Sequence, residues 1–159
     1  MKYSYGDVLN KLRGYGELER RKKQLAYELK HYKEIVTDED VIEALNYKKG
    51  TGERVSGVQP GNITADVAAV YREKAIGIKL QNKREIQEEL EQLKAEIRRI
   101  TYYVGLLDKK QANAVRIHYL KGNSLYQTAE MIGISVATVK RMLKTAVTKL
   151  TDMYNLVKS

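Results

Sequence analysis

The chain contains no cysteine, no tryptophan and no phenylalanine, and its only proline is Pro60. Without cysteine there is no disulfide, no zinc–thiolate site and no thiol nucleophile, a pattern in keeping with a reducing cytoplasm. No apolar run is long enough to span a bilayer. The start, MKYSYGDVLN, lacks the apolar stretch of a signal peptide. A cytoplasmic protein with no membrane partner is therefore expected. Twelve tyrosines supply all the aromatic content. A core built without phenylalanine must rely on Leu, Ile, Val and the apolar faces of Tyr, and each buried hydroxyl then needs a partner. Acid is scarce at one end. Residues 108–159 carry 9 Lys/Arg against 3 Asp/Glu, whereas residues 1–107 carry 20 against 17. Most of the net charge of +9 thus lies in the last third of the chain. That is the footprint expected of a polyanion partner, although charge alone also fits a basic, soluble surface.

Helix formers dominate, few segments alternate with period two, and the fold class expected is all-α. A first helix is predicted from about Tyr5 to Val36. From Leu18 its apolar positions Leu25, Leu29, Tyr32 and Val36 keep to one face. Gly14 and Gly16 weaken it near its start. Thr37, followed by Asp38, Glu39 and Asp40, reads as an N-cap with acids in the first turn, and a short helix, Val41 to Asn46, is expected to follow. The stretch 48–62, KKGTGERVSGVQPGN, reads as a loop. It lacks the Gly-Lys-Ser/Thr ending and the preceding strand of a phosphate-binding loop. A second long helix is predicted from about Thr64 to Leu107, capped by Asn62 or Thr64. Ile86, Leu90, Leu93, Ile97, Ile100, Val104 and Leu107 recur in steps of four and three, the heptad stripe of a coiled coil. One stripe cannot bury itself. It must pack on the first helix as an antiparallel hairpin, on a second copy as a homodimer through residues 86–107, or on both. The domains expected are residues 1–107, a helical hairpin or coiled coil with a role in oligomerisation, and residues 108–159.

The last fifty residues carry three shorter helices. One runs from about Lys109 to Leu120, before Gly122, which suits a left-handed cap. The next starts after Ser124 and ends near Ile132, before Gly133. The third, capped by Ser135, runs from Val136 to about Tyr154. Helix, short glycine-containing turn, helix is the helix-turn-helix spacing. Ala129 is small where two helices must approach, and Leu125, Ile132 and Ile134 surround the turn with apolar groups. In the third helix Val139, Leu143, Ala146 and Leu150 form an inner stripe. Ala137, Lys140, Arg141, Lys144 and Thr148 lie opposite. From Val136 to Leu150 there are four Lys/Arg and no acid. Solvated helices usually mix signs, so this face favours phosphate contact.

The run SLYQTAEMIGISVATVKRMLKTAVTKL resembles the fourth conserved region of the sigma-70 class of transcription initiation factors. The matching positions are Ser124, Ala129, Gly133, Ile134, Ser135, Thr138, Val139, Lys140, Lys149 and Leu150. Thr128 stands where that family usually has isoleucine. The region that binds the −10 element is not recognisable in the rest of the chain. A helical N-terminal part joined to such a C-terminus looks instead like the ArpU/RinA-type regulators of phages and prophages of Gram-positive bacteria.

The resemblance implies a transcriptional regulator whose third helix enters the major groove of double-stranded DNA. By position in the motif, Val136, Ala137, Lys140 and Arg141 are the candidates for reading bases. Arg141 suits O6 and N7 of guanine, and Val136 and Ala137 suit thymine methyls. Lys140 also lies where it can meet phosphates. The phosphate candidates are Ser124, Gln127, Ser135, Thr138, Lys144 and Lys149, extended by Arg116 and Lys121. RNA polymerase is a second implied partner.

His31 and His118 are far apart and in no ligand spacing, so no metal is expected. Tyr102, Tyr103 and Tyr119 are expected to fill the core or the junction between the two halves. No catalytic constellation is seen, and neither an enzyme nor a cofactor is expected. Two other functions remain open: a small-terminase-like packaging protein, which would form a ring, and an adaptor that binds RNA polymerase and uses the basic helix for protein contact.

Overall fold

The computed structural model describes residues 2–33, 37–46 and 65–157. Among these residues seven α-helices and one π-helical turn occur, and no strand. The helices are α1 (Tyr5–Arg13), α2 (Tyr15–Lys30), α3 (Asp38–Asn46), α4 (Ala65–Gly105), α5 (Lys109–Val115), α6 (Leu125–Ile132) and α7 (Val136–Leu156); the π turn, Arg116–Leu120, follows α5 directly. Loop 48–62, the caps proposed at Asn62 and Thr64, and Val36 lie outside the described residues.

The first predicted helix is two. Gly14 sits at φ −82°, ψ −2°, well short of the helical ψ near −42°. Two glycines within three residues make this the weakest point of the segment, and the chain restarts at Tyr15. Ser4 opens α1 with a capping box. Its hydroxyl accepts from the Asp7 amide at 3.1 Å, and its own amide donates to the Asp7 carboxylate at 2.7 Å.

The chain divides into two compact units, Met1–Gln24 with Glu91–Ser159, and Leu25–Leu90. This differs from a boundary at 107/108. The reason lies in the core of the first unit. Val8 and Leu12 of α1, together with Ile100, Val104 and Leu107, are buried in one cluster with Val139, Leu143 and Leu150 of α7. Each such side chain contributes about 1.5–3 kcal/mol by leaving water. The last part of the heptad stripe is therefore spent inside the chain. Its positions Ile97, Ile100, Val104 and Leu107 are buried within the chain, whereas Ile86 and Leu93 are half-buried.

Tyrosines replace phenylalanine here. Tyr154 is buried, with Tyr3 at 5.2 Å and Tyr103 edge-on at 4.9 Å between ring centroids. Its hydroxyl has no hydrogen-bond partner among the described residues, contrary to the expectation for a buried tyrosine. Burial pushes its ionisation far above the usual phenol range. Tyr103 and Tyr119 pack against the core. Tyr102 does not: it is 66% exposed.

In the second unit the Tyr32 hydroxyl donates to the Lys79 carbonyl at 2.8 Å, and Lys79 pairs with Asp40 at 3.2 Å. Thr37 caps α3, its hydroxyl accepting from the Asp40 amide at 3.2 Å.

Candidate nucleic-acid interface

Two turns shape the site, and both close on a left-handed glycine. After α6, Gly133 takes φ +81°, a conformation that costs glycine little. The amides of Gly133 and Ile134 both donate to the Ala129 carbonyl, at 2.8 and 3.1 Å. Ile134, five residues past that carbonyl, completes the closure usual at a helix C-terminus. Ser135 then caps α7, accepting from the Thr138 amide at 3.2 Å.

The earlier turn is wider. α5 does not run on regularly to Leu120; the five residues after Val115 form the π turn, in which the Lys121 amide reaches back to the Arg116 carbonyl at 2.8 Å. Gly122 reverses the chain at φ +77°. Asn123 closes it on the Ile117 carbonyl, six residues back, through its amide at 3.1 Å and its side-chain Nδ2 at 3.0 Å. Ser124 and Gln127 form a capping box at the start of α6.

Ala129 is buried between the helices. Thr128, in the isoleucine place, is fully buried, and its hydroxyl donates to the Ser124 carbonyl at 2.8 Å. The polar atom is thus satisfied and the core tolerates it.

On α7 the inner stripe is buried: Val139, Leu143, Ala146 and Leu150, with Val147 and Tyr154. The opposite face is exposed. At about 100° per residue, Ala137, Arg141, Lys144 and Thr148 share the outward direction, and Lys140 lies on its flank. Lys140, Arg141 and Lys144 have no ion-pair partner among the described residues.

Other candidates are placed differently. Val136 is half-buried and packs against the core. Lys149 is tied to the start of α5, 3.2 Å from both Asp108 and Gln111. The Arg116 guanidinium lies 3.8 Å from where a Cβ on Gly105 would sit, at the C-terminal end of α4, where a cation suits the helix dipole. Ser124, Gln127, Ser135 and Thr138 spend hydrogen bonds on the two caps. The Gln127 side-chain nitrogen has no partner among the described residues, and Lys121 is exposed.

This geometry has a family counterpart. Residues 97–150 match the family model of sigma-70, region 4. The match covers about a third of the chain and begins inside α4, upstream of residue 108. The turn, caps and inner stripe described above all fall within it. A sigma-70 region 4 helix-turn-helix is a DNA-binding type of domain. No curated protein and no solved structure matches the chain.

Two features escaped the sequence. One is the closure of Asn123 on the Ile117 carbonyl, with His118 Nδ1 2.7 Å from the Asn123 carbonyl, which needs the π turn to bring those groups together; an Asn after a Gly was its only trace. The other is the contribution of α1, whose Val8 and Leu12 gave no sign of their distant partners. Among the described residues no group of His, Asp and Glu could hold a metal ion, and no helix is long and apolar enough to cross a membrane.

Proposed function

We propose that this protein is a transcription regulator that reads double-stranded DNA in the major groove with α7. Ala137 and Arg141 face the bases, and Lys140, Lys144 and Lys121 meet phosphates. One observation carries this reading: an outward face with unpaired cations of one sign, opposite a fully buried stripe, on the second helix of a helix-turn-helix. A merely solvated helix would mix its charges. A cation needed by the fold would be paired, as Lys149 is. The helix enters by its N-terminal half, which carries Lys140, Arg141 and Lys144 and no acid; the single acid of α7, Asp152, lies near its far end.

Joined to a helical N-terminal part, this arrangement supports a regulator of the phage and prophage type. Its affinity comes from two half-sites read by two copies, held together elsewhere than through Ile97–Leu107. Selection of bound sequences from random duplex DNA tests the proposal. Recovery of a defined site whose binding weakens with salt supports it; no enrichment and no saturable binding at modest salt refutes it.

A further inference from the structure

We propose that His118 and Asn123 are a positioning pair that sets how α6 presents its first turn to a DNA phosphate. The inference rests on the DNA-binding reading above and names residues that reading does not use.

The π turn creates the need for the pair. Its extra residue displaces the end of the helix, so the Ile117 carbonyl loses its regular helical donor. Asn123 supplies two donors to that one oxygen, its amide and its Nδ2. The Asn123 carbonyl is in turn bound by His118 Nδ1 at 2.7 Å. A carbonyl oxygen only accepts, so Nδ1 carries the hydrogen. The His118 ring is held edge-on against Tyr119, 4.6 Å between centroids, and Tyr119 packs on the core. A chain of contacts therefore runs from the core through Tyr119 and His118 to Asn123, the residue immediately before the α6 cap.

The consequence falls on α6. It is only eight residues long, and its first-turn amides beyond the Ser124 cap point out of the helix start. Between the π turn and Ser124 lie only Lys121, Gly122 and Asn123, and glycine by itself would let this link swing. The pair removes that freedom and fixes where the first turn of α6, Gln127 and Lys121 stand relative to α7. By contrast the turn after α6 closes with backbone amides alone.

The test compares the full chain with His118→Leu, which removes the donor, and His118→Asn, whose amide nitrogen can occupy the place of Nδ1. Binding to a duplex recovered by selection is measured against salt, and melting temperatures are recorded alongside. His118→Leu is expected to bind about tenfold more weakly, with the slope of log K against log salt reduced by about 0.9, one phosphate's worth. His118→Asn is expected to restore both. Loss of stability without a change in slope, or His118→Leu binding like the parent, overturns the inference alone. Failure of the parent chain itself to bind duplex overturns the DNA reading and this inference together.

Discussion

Tyr3 and Asn155, 152 positions apart, hold each other by a reciprocal pair of hydrogen bonds. The Tyr3 amide donates to Asn155 Oδ1 at 2.7 Å, and Asn155 Nδ2 donates to the Tyr3 carbonyl at 2.9 Å. Beside them the Tyr3 and Tyr154 rings meet, and Lys11 pairs with Glu96 at 2.7 Å. The N-terminal segment is thus fastened to the far end of the helix proposed to read DNA. Asn155→Ala should cost about 1–3 kcal/mol, because both partners of Tyr3 are lost. Leu12→Ala, at a fully buried position, should cost about 2–5 kcal/mol. Chemical denaturation followed by circular dichroism measures both. A fragment of residues 108–159 should not fold cooperatively, since Val8, Leu12, Ile100 and Val104 all leave its core.

Gly133 gives a second, independent handle on the site. At φ +81° an L side chain is strained whatever the free space around it, and no atom lies within 4 Å of a Cβ there. The penalty of Gly133→Ala should therefore be conformational, about 1–2 kcal/mol, and not steric. Gly133→Asn should cost less, since asparagine tolerates the left-handed region. Equal melting temperatures for the two variants would contradict this account.

Much of this site was legible because its devices are local. Ser124, Gly133 and Ser135 occupy fixed offsets around the turn, and the α7 stripe follows from a period of 3.6. What could not be read depends on residues distant in sequence. The heptad stripe announced a buried face, but periodicity does not say what covers it. Val8 and Leu12 cover its end, leaving it no open seam there. The pairing of Lys149 with Asp108 across 41 residues is of the same kind. So is the half-burial of Val136, which the position of a residue at a helix start does not determine. Gly14 shows the converse: a weakness visible locally became an actual break.

The capping carboxylates set a response to acid. The hydrogen bonds from Ser4 hold the Asp7 carboxyl below its usual 3.8, and those from Thr37, with Lys79, do the same for Asp40. A depressed folded value means the contribution is present above the unfolded value and is lost as pH falls through the folded one. The starts of α1 and α3 should therefore loosen below about pH 4. Amide exchange at Ser4 and Thr37, followed by NMR across that range, should rise. In Asp7→Asn the acid step at Ser4 should vanish while that at Thr37 persists.

Three cations on α7 should behave in three different ways, and the contrast is the sharpest check on the proposed face. Arg141 points outward without a partner. If it pairs with a guanine, Arg141→Ala should cost about 1–3 kcal/mol and relax preference at one base position. Lys144 shares that direction and, in the proposed complex, meets a phosphate. Lys144→Ala should weaken binding to all duplexes alike and lower the salt slope by about 0.9. Lys149 is already engaged by Asp108 and Gln111. That pair is substantially exposed, so its loss should cost less than about 1 kcal/mol of stability. Lys149→Ala should leave both the base preference and the salt slope where they were. Titrations of one selected duplex and one unrelated duplex at several salt concentrations separate the three. A salt slope that falls as much for Lys149→Ala as for Lys144→Ala would show that the charge of the domain as a whole, and not this face, meets DNA.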